Sequence, residues 1–185
     1  MTDSAERILV MGIGNPLMGD EGVAIRVVEL LMSGYEFPDN VEVVDAGTMG
    51  YTILNLLRDR DFVLVVDAID GTGYEPGTVV TLSPEDLAPN QLMHSLHDTR
   101  FVNVLEAAEL TGIQVRALCI GIQIEKIEPW VTELNDSLED ALPTAVDAVL
   151  TVLGEHGVTG LPRTDGTADS RILESIRTRG PARAD

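Results

Sequence analysis

The feature that most constrains the fold is a regular alternation of short apolar runs with longer segments of helical periodicity. Residues 62–69 (FVLVVDAI) are apolar at nearly every position, which is typical of a strand buried on both faces of a sheet. Strands that alternate with helices predict an α/β fold, with helices on both faces of the sheet. The predicted strands cover residues 7–13, 41–45, 62–69 at the centre, 77–82 nearer an edge, and 114–124, and the predicted helices cover 20–32, 49–57, 99–110 and a last segment from Ser137.

The length of 185 residues suits one domain, which we place at residues 5–158. Pro143 lies within the last helical pattern, so we expect a kink there or a helix that begins near Leu142, and Gly157 should end it. Residues 160–185 contain little apolar surface, with five Arg and four acidic residues. This composition predicts a disordered tail.

The net charge of −19 excludes whole classes of function. A nucleic-acid-binding protein needs a basic surface, and an anionic membrane would repel so acidic a chain. A single cysteine excludes a disulfide-stapled scaffold. The acidic N-terminus is unlike a signal peptide, and no run approaches the ~20 apolar residues of a membrane span, so we expect a cytoplasmic protein.

A glycine-rich loop, residues 12–22, joins the first strand to the first helix, where a dinucleotide-binding loop would lie. Leu17 occupies the place of that motif's third glycine, and Asp20 and Glu21 would repel a pyrophosphate at the helix N-terminus. The loop is therefore suited to present carboxylates. The alternative is that the two acids only cap the helix.

Two further acids lie at strand ends: Asp45 after the second strand and Asp67 within the apolar third strand. Ligands of open parallel sheets bind beyond the carboxyl ends of the strands, where these acids and the glycine loop can meet. An aspartate in an apolar strand is costly unless it is paired or binds a metal. Asp45 could instead cap its own loop at Thr48 or Met49, and Asp70 could cap the next turn.

Histidines supply the remaining candidate metal ligands. His94 and His97 precede the helix predicted from Thr99, whereas His156 follows the last helix, where it suits the helix dipole. One histidine with two carboxylates would form a three-ligand site with open positions, suited to zinc, nickel, cobalt or non-haem iron. Cys119 lies in an apolar strand and is expected to be a buried small residue rather than a nucleophile.

These motifs, in this order and spacing, resemble the hydrogenase maturation endopeptidases from residue 7 to about residue 156. The resemblance rests on GIGNPLMGDEGVAIR, DAGTMG, VVDAID, and HSLHD before a VLEAAELTG helix. It implies a twisted, mostly parallel sheet of about five strands in a three-layer sandwich, and a monomer. The family's metal-contacting residues would fall on Glu21, Asp67 and His97.

The resemblance also implies a substrate and a reaction. The substrate would be the nickel-loaded large-subunit precursor of a nickel–iron hydrogenase, cut once after a His or Arg to release a short C-terminal peptide. The nickel would belong to the substrate. Two mechanisms remain open: a metal held by Glu21, Asp67 and His97 polarises the scissile carbonyl, or Asp45 and Asp67 act as an aspartic-type pair.

Three other functions deserve comparison. A non-catalytic nickel chaperone would share the same ligands, and only a cleavage assay separates it from a protease. A nucleoside-type hydrolase or phosphorylase would need a phosphate-binding cation near the crevice, and Arg100 is the one suitably placed. A nicotinamide oxidoreductase is disfavoured by Leu17 and the two acids that follow it.

Overall fold

The computed structural model of the chain describes residues 5–87 and 101–163. Within them, two single-turn 3-10 segments, Asp20–Gly22 and Gly50–Ile53, precede the first two helices. The helices and strands are β1 (Ile8–Ile13), α1 (Val23–Gly34), β2 (Tyr35–Glu36), β3 (Val41–Gly47), α2 (Leu54–Leu57), β4 (Phe62–Ile69), β5 (Val79–Leu82), α3 (Pro84–Leu87), α4 (Phe101–Leu110), β6 (Arg116–Gln123), α5 (Asp136–Glu155) and β7 (Leu161–Pro162).

The main sheet has five strands in the order β3-β1-β4-β6-β5. The first four are parallel to their neighbours, and only β5, at the edge, runs antiparallel to β6. The predicted α/β fold is therefore confirmed, with β4 at the centre of the sheet. A second, two-stranded sheet joins β2 to β7.

Both faces of the sheet are covered, which is why β1 and β4 are buried at every position. Because side chains alternate along a strand, each strand supplies two separate apolar layers. One layer joins the sheet to α1 and α5, and the other joins it to α2 and α4. The first contains Ile8, Val10, Leu64 and Val66, and the second contains Leu9, Met11, Val63 and Val65.

The last helix continues through its proline. α5 starts at Asp136, one residue before the predicted Ser137, and contains Pro143, so the alternative of a start near Leu142 is wrong. The Asn135 side chain caps the helix by accepting a hydrogen bond from Leu138 N at 3.0 Å. This cap and the apolar face of α5 outweigh the one backbone hydrogen bond that a proline removes. Gly157 follows the helix with φ +74°, as predicted for its end.

The ordered domain extends beyond the boundary predicted from composition. β7 pairs with β2, Arg163 N donates to Gly34 O at 2.8 Å, and Arg163 Nε donates to Tyr35 O at 3.1 Å. Gly160 packs so closely that a Cβ there would lie 2.8 Å from the Phe37 ring. Residues 160–163 therefore belong to the domain, and the rest of the predicted tail lies outside the described residues.

Within residues 5–87 and 101–163, none of the helices combines the length and apolar character that crossing a bilayer requires.

Asn135 should contribute measurably to stability, because it caps α5 and its side-chain amide also donates to Asp20 Oδ2 at 2.7 Å. We expect Asn135→Ala to lower the free energy of unfolding by about 1–2 kcal/mol in urea titrations. Asn55→Ala on an exposed face of α2 is the matched control and should change it by less than about 0.5 kcal/mol. Equal values for the two variants would contradict this role.

Candidate active site

The glycine loop places Glu21 against the carboxyl end of β1. A Cβ on Gly14 would lie 2.3 Å from the Glu21 carbonyl oxygen, and a Cβ on Gly22 would lie 2.9 Å from Pro16 Cα. Both contacts are too short for any other residue, so these glycines allow the 3-10 turn to fold onto the strand end. The Glu21 side chain is consequently buried, at 1% exposure.

Asp20 is also buried but has a different task. Its carboxylate accepts hydrogen bonds from the backbone N–H groups of Glu125, Lys126 and Asn135, at 3.4, 3.3 and 3.0 Å. These bonds tie the glycine loop to the segment between β6 and α5. The N-cap residue of α1 is Gly22, and no side chain caps that helix. The structure therefore does not support the alternative in which the two acids merely cap α1.

Asp67 lies near the end of β4, between Ile13 of β1 and Gly121 of β6, and is 3% exposed. Burial raises the pKa of Asp67 well above its ordinary value, the Ala68 N–H lowers it, and the nearby Glu21 carboxylate raises it further. Within the described residues, Asp67 Oδ1 has no hydrogen-bond partner. The fold thus brings Glu21 and Asp67 together at the carboxyl edge, although they lie 46 positions apart.

Asp45 points away from this pair. It aligns with Gly12 of β1, and Gly12 aligns on its other side with Val66 of β4. Because side chains of aligned residues share a face, Asp45 lies on the face of Val66, and Asp67, one residue further, lies on the opposite face. Asp45 is exposed, and its Oδ1 accepts a hydrogen bond from Gly47 N at 2.8 Å. Its observed role is to cap its own loop.

Only one of the three histidines, His156, lies among the described residues. His94 and His97 lie outside the described residues, so the assignment of His97 as a third ligand stays a prediction. The chain next enters α4 at Phe101, whose helix runs back from the carboxyl edge. His156 lies at the amino edge, with Nδ1 2.8 Å from Glu6 Oε2 and its ring stacked on Phe62. Among the described residues, no three His, Cys, Asp or Glu side chains form a metal site.

Two smaller predictions concern groups beside the site. Cys119 is buried, and burial with the charge of Asp67 raises the pKa of its thiol well above the ordinary value. It is therefore a neutral, buried thiol, as predicted. Asp70 accepts a hydrogen bond from Gly71 N at 2.6 Å and caps the turn after β4, also as predicted.

The segment between β6 and α5 borders the glycine loop, and sequence reasoning missed it. Gly19 N donates to Val131 O at 2.7 Å, and Trp130 N donates to Leu17 O at 2.8 Å. The available signal was an apolar pair, Val131 and the chain's only tryptophan, within an acidic stretch (EKIEPWVTELND).

The carboxyl pair is suited to two kinds of chemistry. A buried carboxyl group with a raised pKa can hold a proton near neutral pH and exchange it with a reacting group. Two carboxylates would also suit a divalent metal, and the predicted ligand His97 would add an imidazole. Asp67 Oδ1, which has no hydrogen-bond partner among the described residues, fits either use.

Asp67 should lower stability at neutral pH. Its raised pKa means that the folded state binds the carboxyl proton more tightly than the unfolded state does. The protonated Asp67 therefore contributes to folding stability near pH 4, and this contribution is lost as pH rises. We expect Asp67→Asn to increase the free energy of unfolding by about 1 kcal/mol at pH 7.5 in EDTA, and the gain to shrink toward pH 4. Asp39→Asn, at an exposed position, is the control. A loss of stability in Asp67→Asn at pH 7.5 would show that the Asp67 carboxylate does not oppose folding.

Comparisons with known proteins identify the family of this chain. The family profile described as hydrogenase maturation protease matches residues 25–152. The chain is 37% identical over 173 residues to a hydrogenase expression/formation protein, HupD, of Rhizobium leguminosarum, covering 92% of this chain and 85% of that protein. It is also 37% identical to the hydrogenase 2 maturation protease of Escherichia coli, covering 85% of this chain and 96% of that protein.

Solved structures agree. The hydrogenase maturating endopeptidase HybD from Escherichia coli superimposes with a TM-score of 0.76 and 34% identity, covering 86% of this chain and 99% of that one. A maturation peptidase from a thaumarchaeon has a TM-score of 0.61 and 33% identity, covering 80% and 99%. The two structures cover 86% and 80% of this chain, so the likeness extends over most of the α/β domain. This chain therefore belongs to the hydrogenase maturation protease family and has its α/β peptidase fold.

Proposed function

We propose that this protein is an endopeptidase that removes a short C-terminal peptide from the nickel-loaded large-subunit precursor of a nickel–iron hydrogenase. The observation that carries the proposal is the buried Glu21–Asp67 pair at the carboxyl edge of the sheet. Family membership supports the reaction class, and a structural relative is itself described as a hydrogenase maturating endopeptidase.

Nickel enters the proposal as part of the substrate. Glu21, Asp67 and the predicted ligand His97 would contact the nickel ion that the precursor carries. Support comes from the donor types, since carboxylate oxygen and imidazole nitrogen both suit a divalent first-row metal. Bringing a cation to this edge would also stabilise two carboxyl groups that are buried side by side. Binding of the metal would then depend on a correctly loaded precursor.

The chemical step is hydrolysis of one peptide bond. Water adds to the scissile carbonyl carbon, the carbon–nitrogen bond breaks, and a proton moves to the leaving amine. A carboxyl group whose pKa is raised by burial can accept the proton of water and return it to the amine, and Asp67 has this property. Glu21 assists because its charge raises the pKa of Asp67. A nickel ion of the substrate would supply polarisation of the carbonyl.

The position of Asp45 favours this scheme over an aspartic-type pair. In such a pair, two carboxyl groups share one proton and must lie in direct contact. Asp45 and Asp67 lie on opposite faces of the sheet, and the Asp45 carboxylate already accepts the Gly47 N–H. We therefore assign Asp45 to shaping the loop at the mouth of the site.

We infer further that the protein acts as a cytoplasmic monomer.

The net charge of the chain supports a protein partner that presents a cation. Residues 160–185 carry a net charge of +1, so the rest of the chain carries −20 and has one lysine, Lys126. Such a surface would attract a metal-bearing or basic partner and repel nucleic acid.

Mass spectrometry of the precursor provides the central test. We expect the wild-type protein to shorten the nickel-loaded precursor by one C-terminal peptide, and Glu21→Gln or Asp67→Asn to slow cleavage by about 100-fold or more. Asp39→Asn, at an exposed position, should cleave at the wild-type rate. If the wild-type protein binds the precursor without shortening it, the proposal fails and a nickel chaperone becomes the better explanation.

Asp45→Asn separates the two mechanisms. Asparagine keeps the side-chain oxygen that accepts the Gly47 N–H, so we expect single-turnover cleavage within about threefold of the wild-type rate. A loss as large as that of Asp67→Asn, with an unchanged melting temperature, would instead favour the aspartic-type pair.

A further inference from the structure

Exposed apolar side chains are concentrated at the edge of the sheet that holds the site. Within the described residues, eight large apolar side chains are exposed, and five of them lie in the connecting segments that follow the carboxyl ends of the parallel strands. All four of these strands contribute at least one such residue. The five are Leu17 after β1, Met49 and Tyr51 after β3, Tyr74 after β4, and Trp130 after β6. Concentrated apolar exposure of this kind marks an interaction surface.

Trp130 is the most unusual member of this group. It is 86% exposed, and its backbone has φ +66°, in the left-handed region that favours glycine. This backbone conformation is strained for a bulky residue. The exposed indole buries little surface in the domain, so its packing does not offset the strain. Strained backbone persists where the surrounding structure enforces it, and it is concentrated at functional positions. A tryptophan at this position therefore points to a contact outside the domain.

The surrounding bonds hold Trp130 in place. Its N–H donates to Leu17 O at 2.8 Å, and Leu17 is itself 48% exposed. The Asp20 carboxylate accepts hydrogen bonds at both ends of the segment that contains Trp130. The donors are Glu125 and Lys126 before Trp130 and Asn135 after it. The indole is therefore displayed on a backbone that is already ordered before any partner binds, which lowers the entropic cost of association.

The environment of Trp130 indicates what kind of partner would fit. The segment from residue 125 to 136 contains four acidic residues and one lysine, and Lys126 Nζ is paired with Glu128 Oε2 at 2.8 Å. Glu125, Glu133 and Asp136 are exposed. An apolar anchor within an acidic surround complements an apolar pocket bordered by Lys or Arg. Leu17 lies four residues before Glu21 in the same loop, so one short stretch of chain joins this apolar contact to the active site.

We propose that Leu17 and Trp130 form a docking surface for the folded body of the precursor, and that the precursor presents there an apolar pocket bordered by basic residues. This inference rests on the proposed function and deepens it. The carboxyl pair acts on the scissile peptide, whereas the docking surface selects the protein that carries it. A tryptophan at the centre of such a contact supplies much of the binding energy.

Steady-state cleavage tests the docking surface. We expect Trp130→Gly and Leu17→Ser to raise KM for the nickel-loaded precursor by about 10-fold or more, with kcat within about threefold of the wild-type value. Leu110→Ser is the matched control, because it removes an apolar side chain that is 89% exposed at the end of α4. Since glycine relieves the strain at position 130, the melting temperature of Trp130→Gly should be no lower than that of the wild type.

Binding can be measured without cleavage, since the chain has only one tryptophan. Labelling the Asp67→Asn variant with 5-fluorotryptophan gives one 19F resonance. We expect the nickel-loaded precursor to shift or broaden it, and the Kd to weaken by about 10-fold between 50 and 500 mM NaCl because acids surround the indole.

The outcomes separate this inference from the proposed function. Suppose that the wild type cleaves the precursor. If the Trp130→Gly and Leu17→Ser variants then keep the wild-type KM, or if the 19F resonance stays unchanged at saturation, the docking surface is overturned and the protease is not. Absence of cleavage together with a saturable shift of the resonance overturns the protease and supports the docking surface. A resonance that shifts with the protein's own concentration, before precursor is added, identifies a second copy of this chain as the occupant and overturns the inference.

Discussion

The burial of two carboxyl groups side by side is the physical constraint on which the rest of the structure depends. Glu21 and Asp67 are nearly inaccessible to water, and burial alone raises the pKa of Asp67. Such an arrangement opposes folding at neutral pH, so it must be held by interactions elsewhere. The apolar layers on both faces of β1 and β4 provide the stabilising burial. The close packing of Gly14 and Gly22 and the hydrogen bonds of Asp20 hold the turn that carries Glu21.

The buried or half-buried charged groups at the two edges of the sheet differ in how fully they are paired. At the amino edge, Glu6 is paired with both His156 and Arg116, and His156 stacks on Phe62. These groups satisfy one another and tie the end of α5 to the sheet. At the carboxyl edge, Asp67 Oδ1 is left without a hydrogen bond from any described residue. The pairing at the amino edge favours the folded state, whereas Asp67 Oδ1 at the carboxyl edge can still accept a bond from a ligand.

Asp20 and Glu21 illustrate how adjacent residues of one type take different roles. Both are acidic, and both are buried by the same 3-10 turn. The Asp20 carboxylate accepts hydrogen bonds from backbone N–H groups of the segment before α5, and these bonds hold the loop that contains Trp130. The Glu21 carboxylate instead lies close enough to Asp67 to raise its pKa. The glycine loop therefore carries Leu17 of the proposed docking surface as well as Glu21 of the carboxyl pair.

The sequence by itself determined the α/β architecture, the central place of β4 and the approach of Glu21 to Asp67, because apolar periodicity and strand ends are local properties with one favourable packing. Only the tertiary structure decided that Asp45 faces away, since this depends on the register between β1 and its neighbours. It also decided that α5 continues through Pro143 and that residues 160–163 belong to the domain, because long-range burial and pairing outweighed a proline and a polar composition. The left-handed backbone and the exposure of Trp130 depend on contacts such as the hydrogen bond from Trp130 N to Leu17 O. These two residues are more than a hundred positions apart, so no local sequence pattern predicts the contact.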